Sequence, residues 1–258
     1  ALTFTGGAGD DQVTFASGTL NGSDSVAGGG GTDRLVADQA DLIAASARIS
    51  GMEYIQVQDT LVNNAPGAAN VLDAADFSDA TRIELSLGYN NARIDNLTSS
   101  QQRVDILANA LAGNAGTLVI DDGATSFGDD HFTLALGNTG DNNQVNANVR
   151  FFSSEIETIF LISNGDDEVA GGNTVNLAGG LGNTQTLTIT GVEDLTVTTA
   201  GSAITAIQAG EAGGDLDLQN VSFDPNNSVA VTTGSGDDMV TGSESGDDNI
   251  DAGAGDDT

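Results

Sequence analysis

Short runs in which apolar and polar residues alternate recur along most of the chain. The clearest are MEYIQV at 52–57, IETIFL at 156–161 and VEDLTV at 192–197, and RIELSL at 82–87 is a looser relative. Alternation with a period of two and an enrichment in β-branched residues are typical of strands with one buried face. Each run follows a turn containing Gly, Ser or Asp, so the pattern predicts strands stacked as the rungs of a solenoid.

Further strands are predicted around these runs, and the pattern as a whole is nearly all β. They are TLVIDD at 117–122, HFTLAL at 131–136, LTITG at 187–191, DLDLQNV at 215–221 and VAVTT at 229–233. Two segments have helical character. The residues 38–47 predict a short helix or turn, whereas for residues 99–113, whose apolar side chains could share a helix face, we favour a strand because strands lie on both sides.

An internal repeat occupies both ends of the sequence. GGAGDDQVT at 6–14 and GGGGTDRLV at 28–36 both fit G-G-x-G-x-D-x-U-x, where U is a large apolar residue, and TLNGSDSVA at 19–27 keeps part of that pattern. TGSGDDMVT at 233–241 and SESGDDNID at 243–251 repeat it, and AGAGDDT follows them. The recurring register places one Asp of each unit in an equivalent position.

The order of residues in this repeat suits a calcium site. The Gly-rich half can turn through conformations that a Cβ would penalise, which directs carbonyl oxygens inward, and the Asp adds a carboxylate. The last three residues form a short strand, whose apolar member is predicted to point into the roll: Val13, Val26, Leu35, Val240 or Ile250. Ligation by oxygen alone suits Ca²⁺ rather than a soft metal.

Tandem units therefore predict several Ca²⁺ ions at each end of the chain. Single matches are weaker, because one Gly-Asp pair also makes an ordinary turn; SFGDDHFT around Asp130 and SNGDDEVA around Asp167 leave both interpretations open. The full set of candidate metal ligands and turn glycines is Gly7, Gly9, Asp11, Gly22, Asp24, Gly29, Gly31, Asp33, Asp130, Asp167, Gly234, Gly236, Asp238, Gly246, Asp248, Gly255 and Asp257.

Charge points to cations as the partners of this chain. Asp and Glu number 38 against 6 Lys and Arg, which gives a formal net charge of -32 over 258 residues. Such a charge opposes compaction unless it is neutralised, and it argues against nucleic acid and anionic lipid as partners. There is no Cys for disulfides or thiolate metal sites, and no apolar run long enough to cross a membrane.

Signatures of catalysis are sparse. His131 is the single His, so a triad has one candidate base, a multi-His zinc site is excluded, and we interpret His131 as a surface or rung residue. Glu53, Glu157 and Glu193 occupy the same place in the strand motif, which favours a structural role at rung corners over acid–base catalysis. The sequence does not predict an enzyme.

The nonapeptides resemble those of the RTX (repeats-in-toxin) family. The wider order, FTGGAGDDQVTF, GGGGTDRLVAD, ISGMEYIQV, SEIETIF, TGVEDLTV and the terminal TTGSGDDMVTGSESGDDNIDAGAGDD, is similar to the lattice-forming part of RTX-type crystalline surface-layer proteins of Gram-negative bacteria. The resemblance implies type I export without a cleaved signal, an extracellular cell-surface location, and Ca²⁺ that both folds the subunits and joins them into a lattice. At 165–186 Asn and Thr replace the Asp, which puts calcium there in doubt.

These observations predict an all-β, elongated parallel β-roll or β-solenoid with calcium-binding turns at both ends. We expect an N-terminal calcium block at 1–37, a rung region at 38–228 and a C-terminal calcium block at 229–258, as a fragment of a longer protein. The predicted function is structural, with further copies of the chain as partners and a surface polysaccharide as another candidate. Two alternatives stay open: a calcium-stiffened adhesin, and the accessory β-roll of a secreted polysaccharide-modifying enzyme.

Overall fold

The computed structural model describes residues 1–63, 71–98, 101–107, 116–121, 131–138, 144–152, 156–165, 171–199 and 203–258. The chain forms two compact units, Ala1–Ser126 and Phe127–Thr258. Both are built from short strands, and every strand pairing recorded among the described residues is parallel. The predicted all-β parallel solenoid is therefore confirmed.

The first unit contains twelve strands and little helix. They are β1 (Thr3–Thr5), β2 (Gln12–Thr14), β3 (Ser25–Ala27), β4 (Arg34–Ala37), β5 (Ile49–Ser50), β6 (Tyr54–Val57), β7 (Leu61–Asn63), β8 (Leu72–Asp73), β9 (Arg82–Leu85), β10 (Tyr89–Asp95), β11 (Arg103–Ile106) and β12 (Leu118–Ile120). Helix α1 (Gln39–Ala45) and a 3₁₀ turn, Ser46–Arg48, follow β4, and a second 3₁₀ turn spans Ala74–Phe77. The short helix predicted at 38–47 and the strand favoured within 99–113 are both confirmed in the described residues.

Successive strands of the first unit alternate between sheets. One sheet has the order β1-β3-β5, a second has β2-β4-β6-β9-β11, and in a third β10 pairs with β7, β8 and β12. Consecutive nonapeptide units thus lie in different sheets, and a strand pairs with the one a full turn of the solenoid away. The 22-residue offset between Gln12 and Arg34, which pair, is one such turn.

The second unit repeats this arrangement with ten strands. They are β13 (His131–Leu136), β14 (Asn146–Phe151), β15 (Thr158–Ser163), β16 (Asn173–Leu177), β17 (Thr186–Gly191), β18 (Leu195–Thr199), β19 (Ala206–Ala212), β20 (Leu216–Asn220), β21 (Ala230–Thr232) and β22 (Asn249–Asp251). Strands β13-β15-β17-β19-β21-β22 form one sheet edge to edge, and β14-β16-β18-β20 form the other. The strands predicted from alternation are confirmed, but residues 239–241, predicted as a strand of the nonapeptide unit, form only an isolated bridge at Met239. The sequence does not predict β5, β7, β8, β10, β14, β16 and β19.

The core is made of columns of aliphatic side chains, one from each rung. In the first unit Leu35, Ile55, Ile83 and Val104 pair in register and are all fully buried. Each such side chain contributes about 1.5–3 kcal/mol by leaving water. Of the repeat residues predicted to point into the roll, Leu35 and Val26 are buried and Val13 and Val240 are half-buried, but the prediction is wrong for Ile250. Ile250 is 45% exposed, because among the described strands β22 pairs with β21 alone.

Candidate metal sites

Three carboxylates stack at the entrance to one sheet of the first unit. Asp11, Asp33 and Glu53 each stand one residue before a strand, β2, β4 and β6, and those strands pair in register. The N–H of Asp11 donates to Oδ1 of Asp33 at 2.8 Å, and the N–H of Asp33 donates to Oε2 of Glu53 at 2.7 Å. We call this stack the inner carboxylate column. Its hydrogen bonds fix one oxygen of Asp33 and one of Glu53 without any ion.

The second oxygen of Asp33 has no such partner. Asp33 is fully buried, and its Oδ2 meets no hydrogen-bond donor among the described residues. In Asp11, by contrast, Oδ2 accepts the N–H of Gly7 at 2.6 Å, and the residue is half-buried. A buried carboxylate oxygen without a donor costs free energy that a bound cation would remove. Asp33 is therefore the residue of this column that best fits a metal ion.

The glycine turns bring backbone oxygens towards this carboxylate. Gly29 and Gly31 have φ of 108° and 124°, conformations that a side chain would strain. A Cβ placed on Gly28 would collide with the carbonyl oxygen of Gly51 and with Oδ2 of Asp33. Only a residue without a side chain allows the backbone to approach Asp33 so closely, and the carbonyl oxygen beside it is of the ligand type that Ca²⁺ prefers.

Sequence reasoning missed the first glycine of each unit. Gly6 occupies the place of Gly28 one turn away, and a Cβ there would meet the carbonyl oxygen of Gly28 and Oδ2 of Asp11. The doubled Gly at the start of each nonapeptide is the signal that could have identified both residues. Of the predicted turn glycines, those with positive φ are Gly29, Gly31, Gly246 and Gly255, and those without are Gly7, Gly9, Gly22, Gly234 and Gly236.

Asp24 lies in another sheet and has a satisfied carboxylate. Its Oδ1 accepts the N–H of Leu2 at 2.6 Å, and its Oδ2 accepts the N–H and the side-chain amide of Asn21 at 3.0 and 2.7 Å. The hydrogen bond from Leu2 is the main reason that the pKa of Asp24 lies below its ordinary value. Since both oxygens already have donors, Asp24 fits a metal less well than Asp33.

Asp238 in the second unit repeats the features of Asp33. Its Oδ1 accepts the N–H of Leu216 at 2.9 Å, and its own N–H donates to Oδ1 of Asp257 at 3.0 Å. Asp238 is 1% exposed, and no donor in the described chain reaches its Oδ2. Burial raises the pKa of Asp238, and the nearby Thr233 hydroxyl opposes that shift. The single proton of this hydroxyl is directed to the carbonyl oxygen of Ala252, at 2.7 Å, and so does not reach Oδ2 of Asp238.

Asn173 shows what completes this position when no carboxylate is present. It precedes Leu195 and Leu216 in the same column of paired residues, and Asp238 follows them. Its Oδ1 accepts the N–H of Val145 at 2.7 Å, as Oδ1 of Asp238 accepts that of Leu216. Its Nδ2 then donates to two oxygens, Oγ of Ser163 and the carbonyl of Asn164, each at 3.0 Å. The Asn173 amide thus supplies a hydrogen-bond donor at this position, whereas Asp238 has a second carboxylate oxygen there.

Asp248 and Asp257 complete the predicted C-terminal set. Asp248 resembles Asp24: Oδ1 accepts the N–H of Val229 at 3.0 Å, Oδ2 accepts the N–H of Ser243 at 2.8 Å, and these bonds, that from Val229 first, lower its pKa. Asp257 is exposed and accepts the N–H of Asp238. The structure therefore divides the predicted aspartates into two with an unsatisfied buried oxygen, Asp33 and Asp238, and others whose recorded oxygens accept backbone hydrogen bonds.

A second column of aspartates lies along the second unit, and sequence reasoning did not assign it a role; two of its members, Asp237 and Asp256, are the first residue of an Asp-Asp pair. Asp194, Asp215, Asp237 and Asp256 form a column along the second unit, in which the N–H of each later residue donates to Oδ1 of the one before, at 2.8, 2.7 and 2.8 Å. Asp215, Asp237 and Asp256 are exposed and Asp194 is half-buried. We call this column the acidic ladder. Adjacent Asp residues at the start of a strand alternate in direction, which is the sequence signal for the two roles.

The glutamates of the strand motif do not share one place, contrary to the expectation. Glu53 and Glu157 each precede a strand, and Glu53 is a corner hydrogen-bonder as expected. Glu193 lies two residues before β18 and is buried against Gly165, whereas Glu157 is exposed. Glu84, from the looser relative of the motif, lies inside β9 and is fully buried. The motif matched in sequence because alternation looks alike wherever the strand begins.

His131 is the first residue of β13, and its ring packs in a T-shaped arrangement against that of Phe160, with 5.7 Å between the ring centres. Asp130 and Asp167 lie outside the described residues.

The described residues contain neither a cluster of metal-binding side chains nor a membrane-spanning helix. No group of three or more His, Cys, Asp or Glu side chains there could hold a metal by side chains alone. Backbone carbonyl oxygens are also ligands of Ca²⁺, so the individual sites stay predictions. In the described part of the chain, no helix has the length and apolar character needed to cross a membrane.

Comparison with known proteins adds no relative. No protein-family model matches the chain, and no curated protein or solved structure matches it either.

Proposed function

We propose that this chain is a calcium-dependent structural segment of an extracellular surface layer of the RTX type, which folds and assembles with copies of itself when Ca²⁺ binds. The observation that carries the proposal is the contrast between Asn173 and Asp238. At equivalent positions, the amide of Asn173 donates to two oxygens, whereas Oδ2 of Asp238 is buried and has no described donor. A cation among oxygens is the group that would complete the second arrangement.

Asp33 and Asp238 would each hold an ion of their own, with carbonyl oxygens of the glycine turns as further ligands. Backbone N–H groups of Asp11 and Leu216 fix one oxygen of each carboxylate, so the other is oriented before any ion arrives. Ca²⁺ is suited to this donor set because it takes six to eight oxygens in flexible geometry. When bound, it supplies positive charge to a chain whose formal net charge is -32.

Calcium binding would couple to folding through these residues. An ion that binds the folded chain and not the unfolded one adds its binding free energy to stability. In a low-calcium cytosol, repulsion between carboxylates would keep the chain incompletely folded, which would allow export. Outside the cell, Ca²⁺ binding would complete folding. The extracellular, cell-surface location and type I export belong to this proposal and rest on the resemblance of the repeats.

Electron microscopy and circular dichroism test the proposal together. The purified chain is compared in millimolar Ca²⁺ and in chelator at matched ionic strength. We expect calcium to increase ordered β structure and to produce ordered sheets. Calcium-dependent folding with monodisperse particles at all concentrations would favour the adhesin alternative, and equal folding in chelator would refute the proposal.

A further inference from the structure

The outward face of the first unit carries half of the arginines of the chain. Arg34, Tyr54, Arg82 and Arg103 pair in register on four successive strands, β4, β6, β9 and β11. Their side chains point away from the core, since the alternating neighbours Leu35, Ile55, Ile83 and Val104 are buried in it. We call these four residues the arginine face. The remaining arginines are Arg48, Arg93 and Arg150.

Two buried carboxylates, those of Glu84 and Asp105, lie against the arginines of the arginine face. Oε1 of Glu84 lies 3.0 Å from Nη2 of Arg34 and 2.9 Å from Nε of Arg82, although that Nε is not aligned to donate. Asp105 pairs with Arg82 and, at 2.7 Å, with Arg103. Glu84 and Asp105 are almost fully buried, whereas the three arginine side chains remain 22–35% exposed.

Tyr54 lies between Arg34 and Arg82 in the arginine face. The guanidinium groups of Arg34 and Arg82 lie 5.5 and 5.2 Å from its ring centre, a cation–π arrangement on a partly exposed residue. Asp10 and Asp11 line the hollow beside Arg34 and Tyr54. Within the arginine face itself, three guanidinium groups against the two carboxylates of Glu84 and Asp105 leave an excess of one positive charge. That local excess is unusual on a chain of net charge -32.

The acidic ladder of the second unit is the counterpart in charge and in spacing. It too places one residue on each of four successive rungs, Asp194, Asp215, Asp237 and Asp256. Neighbouring strands of any sheet lie about 4.8 Å apart, so each four-rung column extends about 14 Å. The guanidinium groups on the first, third and fourth rungs of one column can therefore face carboxylates of the other column at the same spacing, while Tyr54 occupies the second rung.

We propose that the arginine face of one copy docks on the acidic ladder of a second copy. The inference rests on the proposed function, because it names the surfaces through which calcium-folded copies would associate. Arginine suits the role, since its planar fork of donors engages carboxylates in pairs. The contact is head-to-tail, joining different surfaces of the two copies, so repetition extends the assembly rather than closing a dimer.

Sedimentation velocity in calcium tests the docking through the acidic side. The triple variant Asp194→Asn, Asp215→Asn and Asp237→Asn removes three charges but keeps the Oδ1 acceptors that bond the next rung. The matched control, Asp76→Asn, Glu211→Gln and Glu244→Gln, removes three exposed charges elsewhere. Three lost ion pairs should weaken association roughly tenfold or more, and added salt should do the same to the wild type but not to the variant.

Cross-linking tests proximity directly, because the chain contains no lysine. Arg103→Lys places one on the arginine face, and Arg48→Lys places one at an exposed control position. A carbodiimide joins such an amine to a touching carboxylate, and a mixture of isotope-labelled and unlabelled chains identifies links between copies. We expect links from position 103 to peptides containing Asp194, Asp215, Asp237 or Asp256 of the other copy, and none of these from position 48.

The outcomes separate this inference from the proposed function. Association of the triple Asn variant at wild-type strength, or links from position 103 that avoid the ladder, would overturn the docking even where ordered sheets form. Ladder-specific links without any sheets would support the docking and count against the surface-layer function. A wild type that remains monomeric in calcium at low salt overturns the docking as well.

Discussion

If Asp238 holds Ca²⁺ as proposed, Asp238→Asn should give a rung that needs no ion. The new side chain keeps an Oδ1 acceptor for the N–H of Leu216 and places an amide where Oδ2 lacks a donor, which is the arrangement that Asn173 already has. Asp237→Asn is the matched control. It removes the same charge from the adjacent residue, which is exposed and keeps its bond to the N–H of Asp256.

The expected size follows from linkage. A ligand at one hundred times its Kd stabilises the folded state by about 2.7 kcal/mol per site, so Asp238→Asn should lose about that much of the calcium-induced stability. Asp237→Asn should stay within about 0.5 kcal/mol of the wild type, as expected of a surface change. In chelator, Asp238→Asn should equal or exceed the wild type, because burial disfavours the charge of Asp238 and raises its pKa.

Urea unfolding followed by circular dichroism measures these differences, with each protein studied in calcium and in chelator at one ionic strength. The reciprocal change, Asn173→Asp, should destabilise the fold in both conditions, since Ser163 Oγ and the Asn164 carbonyl lose their donor at about 1–3 kcal/mol each. Equal calcium dependence in wild type and Asp238→Asn would refute the reasoning. So would an equal loss in Asp237→Asn.

Two further changes test the arginine face and the glycine turns. Burial raises the pKa of Glu84. Its contribution to stability is therefore full below the pKa of unfolded Glu and is lost as pH rises through the higher folded-state pKa. In chelator, Glu84→Gln should flatten the dependence of stability on pH between pH 4 and 7, whereas the control Glu157→Gln, at an exposed residue, should not. A loss above about 3 kcal/mol at pH 7, the cost of breaking a buried ion pair, would contradict that expectation. Gly28→Ala should cost about 1–3 kcal/mol through overpacking and weaken calcium binding measured by titration calorimetry, because its Cβ meets the Gly51 carbonyl. The control Gly182→Ala, at an exposed glycine outside the candidate metal set, meets no atom within 4 Å and should change neither quantity; similar losses in both variants would argue against close packing at Gly28.

The sequence was sufficient to predict the solenoid, because period-two alternation survives wherever a rung is half-buried. It failed for β16, whose NTVNL lies between Gly-rich turns and was interpreted as a degenerate turn. There Val175 and Leu177 provide only two buried apolar positions, and the third inward residue, Asn173, is polar. A buried polar residue that is satisfied by its neighbours cannot be distinguished from a loop residue by pattern alone.

The candidate site was predictable in its residues but not in their differences. Asp237 and Asp238 are identical in chemistry and adjacent in sequence, and their roles separate only when strand direction buries one of them. The arginine face left no periodic signal, because Arg34, Tyr54 and Arg82 are spaced by turns of unequal length. Register in the folded sheet, rather than spacing along the chain, brings such residues together.

The relation between Asn173 and Asp238 also bears on how such chains diversify. Codons for Asn and Asp differ by one base, and the two side chains have nearly the same volume. Under the proposed function, a single mutation at a position such as Asp238 would therefore exchange a rung that awaits an ion for an internally bonded one, while chain length and strand register stay unchanged. On that proposal, the number of Asp rungs with an unsatisfied buried oxygen would determine how strongly the stability of such a chain depends on calcium.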